Sequence, residues 1–161
     1  MPAITNDAML IQILGDAMSR VIDDLKQDFV EIIKKSIEEN VYNPYPEGPN
    51  YDRLYENGGF LGAWTADETK RFSNMITARV DMNPELLAPP GDGHHHGNPY
   101  VDRRNEMDRI IMEGTDWDIG GAARIPRDYW TFVEQWIETG QADWYLERAM
   151  TKHGICFQRI L

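Results

Sequence analysis

The stretch NDAMLIQILGDAMSRVIDDLKQDFVEIIKKSIEEN, residues 6–40, decides the fold. Its apolar positions include Leu10, Ile13, Leu14, Met18, Val21, Ile22, Leu25, Phe29, Ile32, Ile33 and Ile37. Steps of three and four gather them on one stripe of an α-helix. Asp16, Arg20, Asp24, Gln27, Glu31, Lys35 and Glu38 fall mostly off that stripe. Asn6 or Asp7 offers a side-chain oxygen to cap the first turn. Gly15 is the weak point and the candidate break, since an interior glycine costs about 1 kcal/mol relative to alanine. A helix of this length spans about 50 Å at roughly 1.5 Å per residue. A compact chain of this size has a radius of gyration of about 15 Å. An unbroken helix is therefore expected to overhang its own domain and to offer part of its stripe to a neighbour.

The character changes after Asn40. NVYNPYPEGPNYDRLYENGG, residues 40–59, is rich in Tyr, Pro, Asn and Gly. The helix must end before Pro44, because the residue preceding a proline avoids helical geometry. Asn57-Gly58-Gly59 signals a turn. The β-branched, loosely alternating FSNMITARV, residues 72–80, is expected to be a strand, with a second over 60–66. The Pro- and Gly-rich stretch that follows is expected to be a mobile loop near 86–99. A short helix is expected over 100–112. Asp128 is placed to cap another, which carries Tyr129, Trp130, Phe132, Val133, Trp136 and Ile137 and ends at Gly140. A last helix holds Trp144, Tyr145, Leu146, Ala149 and Met150 and stops at Gly154, and ICFQRIL reads as a terminal strand. The expected class is α+β in one domain, residues 1–161: a long helix, a small antiparallel sheet and two or three short C-terminal helices.

The formal net charge is -11 over 161 residues. Residues 1–40 hold eight acids against four bases, and residues 81–120 nine against three. A nucleic-acid partner requires a basic stripe that displaces counterions from phosphates. No such stripe is visible: the pair Arg103-Arg104 is local, and Glu106 and Asp108 follow it. An acidic surface also disfavours anionic membranes. No apolar run reaches the roughly 18 residues that a membrane span needs. The N-terminal MPAITNDAML has neither the basic start nor the apolar core of a secretory signal. Cys156 is the single cysteine and is expected to be a buried thiol packed as a small hydrophobe.

Motifs that carry chemistry are sparse. Asp92, His94, His95 and His96 are residue types that bind zinc or nickel. Three consecutive side chains do not converge on one point, however, and His153 is the only other histidine. A solvated polar loop is the simpler reading. GDG and IGGAA match neither the dinucleotide fingerprint nor the phosphate-loop pattern with its lysine. Asp116 and Asp118 would serve hydrolysis only at a suitable separation across a sugar. No cofactor is expected. The aromatic residues say more. Trp130, Trp136, Trp144 and Tyr145 read mainly as core. The tyrosine–proline loop is too polar for core and too aromatic to be idle. The expected interface residues are Tyr42, Tyr45, Tyr51, Arg53, Tyr55, Phe60, Leu61 and Trp64.

Taken together, the long helix, VYNPYP, YDRLYENGGFLGAW and a following strand resemble tailed-phage structural proteins of the HK97 tail-completion type, the head–tail connector or neck group. The matching positions are Val41, Tyr42, Tyr51, Arg53, Gly59, Leu61 and Trp64. RIPRDYWTFVEQWIETG, residues 124–140, resembles the group's Arg-x-Pro and aromatic lead into a helix, and LERAMTKHGI its closing helix. The resemblance implies a non-enzymatic virion protein without cofactors, made in the host cytoplasm. It implies copies of the chain in a ring at the head–tail junction or top of the tail, in contact with neighbouring connector or tail proteins. Three other readings stay open. They are a minor capsid or tail-tube-associated protein, an acidic adaptor or inhibitor, and a metal-dependent hydrolase using the His94–His96 loop.

Overall fold

The computed structural model describes residues 7–44, 58–73, 75–88, 102, 104–114 and 126–156. The architecture is α+β: a long N-terminal helix packed against a small antiparallel sheet, with short C-terminal helices. Helix α1 runs Asp7–Ile37 without interruption. Gly15 therefore does not break it. A π-helical turn, Glu38–Tyr42, follows, and the Asn43 N–H donates to the Glu38 carbonyl at 2.9 Å. The helical run thus stops at Tyr42, short of Pro44.

Four short strands come next: β1 Trp64–Ala66, β2 Lys70–Phe72, β3 Met75–Thr77 and β4 Val80–Met82. β1 pairs with β4. β2 and β3 are antiparallel, with Lys70 opposite Thr77, Arg71 opposite Ile76 and Phe72 opposite Met75. The single strand expected over 72–80 is therefore divided. The Phe72–Met75 register leaves only positions 73 and 74 between β2 and β3, and Ser and Asn there are turn-forming types. Ala78 and Arg79 then separate β3 from β4. The strand expected over 60–66 narrows to β1. Of the stretch 86–99, Leu86 closes a 3-10 turn, Pro84–Leu86, and Leu87 is buried and bridges Gly58. Residues 89–99 lie outside the described residues.

Helix α2, Met107–Glu113, is shorter than expected and is preceded by a 3-10 turn, Arg104–Glu106. Helix α3 runs Trp130–Glu138. Asp128 caps it as expected, its Oδ1 accepting from the Trp130 and Thr131 N–H groups at 3.1 and 2.9 Å. Gly140, at φ +76°, holds the left-handed geometry that lets helix α4, Gln141–Lys152, start directly after α3. Past Gly154 the chain forms no strand through Cys156. The cysteine is exposed rather than buried, because the chain has turned off the end of α4 by then.

The chain divides into two compact units. The first draws on Met1–Phe29, Ala66–Val80 and Trp136–Leu161, the second on Val30–Thr65 and Asp81–Gln135. In the second, Ile33, Ile37, Val41, Tyr129 and Val133 are fully buried. Ser36 is buried with them, and its Oγ donates to the Tyr129 carbonyl at 2.5 Å. In the first unit, Ala17, Val21, Trp136 and Ala149 are buried. The Trp136 ring meets Phe29 at 6.3 Å and Tyr145 at 5.1 Å between centroids.

Candidate functional site

The sequence-derived interface residues divide sharply. Tyr45, Tyr51, Arg53 and Tyr55 lie outside the described residues, as do Asp92, His94, His95, His96, Asp116 and Asp118. Tyr42, Phe60 and Trp64 are buried within the second unit, and Leu61 is half-buried. The Leu61 N–H donates to the Tyr42 hydroxyl at 3.3 Å. Phe60 and Trp64 pack edge-on against Tyr129 at 5.5 and 6.0 Å, and Trp64 stacks on Trp130 at 6.0 Å. Burial pushes the Tyr129 phenol well above its ordinary range, and the nearby Asp108 and Asp128 charges add to this. Among the described residues the buried Trp64 indole N–H has no hydrogen-bond partner. These aromatics form a core.

Among the described residues, most of the exposed large apolar side chains lie in the first unit. Leu10, Ile11, Ile13 and Leu14, in the first turns of α1, are exposed, Ile11 at 59%. Phe72 and Met75, which face each other across the end of the β2–β3 hairpin, are 54% and 53% exposed. Between helix and hairpin runs a groove of about 360 Å³, lined by Ile11, Met18 and Ile22 on one side and Phe72, Met75 and Ile76 on the other. Exposed apolar surface gathered in one place is what contact surfaces present to partners.

Arg71 and Gly15 shape that groove. The Arg71 guanidinium lies against α1, donating to Asp16 Oδ1 at 2.7 Å and to the Ile11 carbonyl at 3.2 Å. A Cβ at Gly15 would overlap the guanidinium. Glycine is therefore a seat for Arg71, which explains its presence in an unbroken helix. Further along, Lys26 ties α1 to the approach to β2, reaching Asp23 at 2.8 Å and the Asp67 carbonyl at 2.9 Å. Thr69 Oγ1 donates to Asp23 Oδ1 at 2.6 Å. Hydrogen bonds from Lys26 and then Thr69 hold the Asp23 carboxyl below its ordinary range. Lys152, and more weakly His153, do the same for Asp24.

Among the described residues, the carboxyls of Asp23, Asp24, Asp102 and Asp128 are held below their ordinary range by such partners. Among the described residues no three His, Cys, Asp or Glu side chains are grouped to hold a metal ion. No described helix is long and apolar enough to cross a membrane.

Sequence reasoning missed Arg71, Phe72, Met75 and Ile76 as surface residues. The available signal was Ser and Asn at positions 73 and 74, turn-forming types that divide the expected strand over 72–80 between Phe72 and Met75. No family model, curated protein or solved structure matches this chain.

Proposed function

We propose that the chain is a non-enzymatic structural component of a tailed-phage virion. In this reading, copies of it form or complete a ring at the head–tail junction or top of the tail. They do so by contact with one another and with neighbouring connector or tail proteins. The reading starts from the tail-completion-like segments VYNPYP, YDRLYENGGFLGAW and RIPRDYWTFVEQWIETG. The observation that carries it is the set of exposed apolar side chains Leu10, Ile11, Ile13, Leu14, Phe72 and Met75, of which Ile11, Phe72 and Met75 line the groove. Assembly proteins work by covering such surface, and soluble homo-oligomers close most often into cyclic rings. The acidic balance, net -11, keeps the unassembled chain dissolved in the host cytoplasm despite these side chains.

Electron microscopy of the purified protein mixed with connectors and with tails tests the reading. Added density in one ring at either end of the junction is the expected result. A chain that stays monomeric and binds neither particle sinks it. A variant with Ile11→Glu and Phe72→Glu together should lose the ring density while keeping its helix content by circular dichroism.

A further inference from the structure

We infer that α4 is an ionic latch, a helix fastened to α1 chiefly by charge and released from it by salt while α1 stays folded. Only Ala149 of α4 is buried. Beside it the half-buried Tyr145 meets Trp136 edge-on at 5.1 Å. Against this thin seam stand two ion pairs and a histidine hydrogen bond. Arg148 Nη2 donates to both oxygens of Asp28 at 2.6 Å. Lys152 Nζ and His153 Nε2 both donate to Asp24 Oδ2, at 2.8 and 2.9 Å. Asp24 and Asp28 stand one turn apart on α1, and Arg148 and Lys152 stand one turn apart on α4. The rows meet in opposite order, 148 on 28 and 152 on 24, so the two helices run antiparallel with matched charges.

The latch is open to ions. The Arg148 and Lys152 side chains are 47% and 63% exposed. Screening shortens the reach of such charges from about 10 Å at 0.1 M salt to about 3 Å at 1 M. A helix with so little buried apolar surface is the kind that opens locally below the global unfolding threshold. A freed α4 also keeps a cluster of its own. The Arg148 guanidinium lies over Trp144 and Tyr145 at 4.9 and 5.0 Å, and those two rings meet edge-on at 4.8 Å. Release therefore exchanges one partner of Arg148 for rings it already touches. The latch does not depend on what the chain assembles with.

Amide hydrogen exchange of the whole protein, read by mass spectrometry at about 0.05 M and about 1 M sodium chloride, tests this. Residues 145–152 should lose about fivefold in protection at high salt, while residues 17–33 of α1 keep theirs. A variant carrying Asp24→Asn and Asp28→Asn should show the low α4 protection already at low salt, with no further salt response. If the variant does not fold, the salt response of the unmodified chain decides alone. Protection of α4 that ignores salt, or that falls only together with α1, overturns the latch.

Discussion

Ile33 and Ile37 have no solvent exposure, whereas Ile11 and Leu14, set on the same helix by the same spacing, are 59% and 48% exposed. At its C-terminal end α1 enters the second unit, where Tyr129, Val133 and the π-turn residue Val41 are buried as well. In its first turns Leu10, Ile13 and Leu14 stay exposed, and Ile11 borders an open groove beside the β2–β3 hairpin. An amphipathic stripe says which side of a helix leaves water. It does not say whether the chain itself or another molecule covers that side. The largest expected effect separates the two ends directly. Ile33→Ala should cost about 3 kcal/mol in urea unfolding, because the cavity it leaves adds to the lost transfer energy. Leu14→Ala should cost about 0.5 kcal/mol, since much of that side chain already meets water. Equal costs would mean that Leu14 is core in the isolated chain and is not part of an exposed apolar surface.

The buried end also holds a polar contact that is itself fully buried, whereas the Arg71 contacts of the open end are exposed. Ser36 has no exposure, donates to the Tyr129 carbonyl at 2.5 Å and accepts from Asn40 Nδ2 at 3.2 Å. Ser36→Ala removes that buried hydroxyl bond, at a cost of about 1 kcal/mol. Ser19 makes the instructive control. Its hydroxyl donates to its own helix at Gly15 O, 2.9 Å away, and the residue is half-buried. Ser19→Ala should change stability by less than about 0.5 kcal/mol. The two midpoints, read by circular dichroism, rank the ends again.

What the sequence made legible was local. The stripe of α1, the stop before Pro44, the Asp128 cap and the Gly140 joint each rest on neighbours within a few residues. What it hid was tertiary. Gly15 looks like a helix defect until Arg71, far along the chain, is seen lying on it. Phe72 reads as the start of a strand over 72–80 until the register makes it the end of β2, opposite Met75. Tyr42 and Trp64 look like interface aromatics because a Tyr-Pro-Asn-Gly stretch reads as surface. The packing of Phe60, Trp64 and Tyr129 depends on a partner segment nearly seventy positions on, and no local pattern announces it. Cys156 fails for the same reason in reverse: its apolar neighbours suggest burial, but its place past the end of α4 leaves it exposed.

Carboxylates give the comparison a pH axis. Asp128 is held below its ordinary 3.8 by the Thr131 hydroxyl and by the α3 N–H groups it caps. Asp23 and Asp24 are lowered by Lys26 and Lys152, and Asp102 falls to about 2 through hydrogen bonds from Arg104. A carboxyl whose folded value lies below its unfolded one stabilises the fold above the unfolded value. That contribution fades as pH drops through the folded value. Stability should therefore be level from neutral pH to about 5 and fall below about 4. Asp128→Ala should cost about 1 kcal/mol at pH 7 through the lost cap, and that cost should shrink near pH 2. A variant cost that stays constant down to pH 2 would mean that the cap works through its neutral form.

Gly15 supplies the finest test, because two small terms oppose each other there. Alanine is the better helix former by about 1 kcal/mol. Its Cβ needs the space of the Arg71 guanidinium, which would have to leave Asp16 and the Ile11 carbonyl. That ion pair is solvent-exposed, with side chains 34% and 53% accessible, so its loss costs only about 0.2–1 kcal/mol. The guanidinium is also the far end of a flexible side chain and moves without shifting backbone. The helix term should win, and Gly15→Ala should stabilise the isolated chain by about 0.5 kcal/mol. The same variant drives Arg71 toward the groove and should weaken attachment to connectors or tails. A more stable chain that attaches less well would separate folding from assembly at one residue. A variant that gains stability and attaches unchanged would remove the groove from the contact surface. A less stable one would make Arg71 a structural tie.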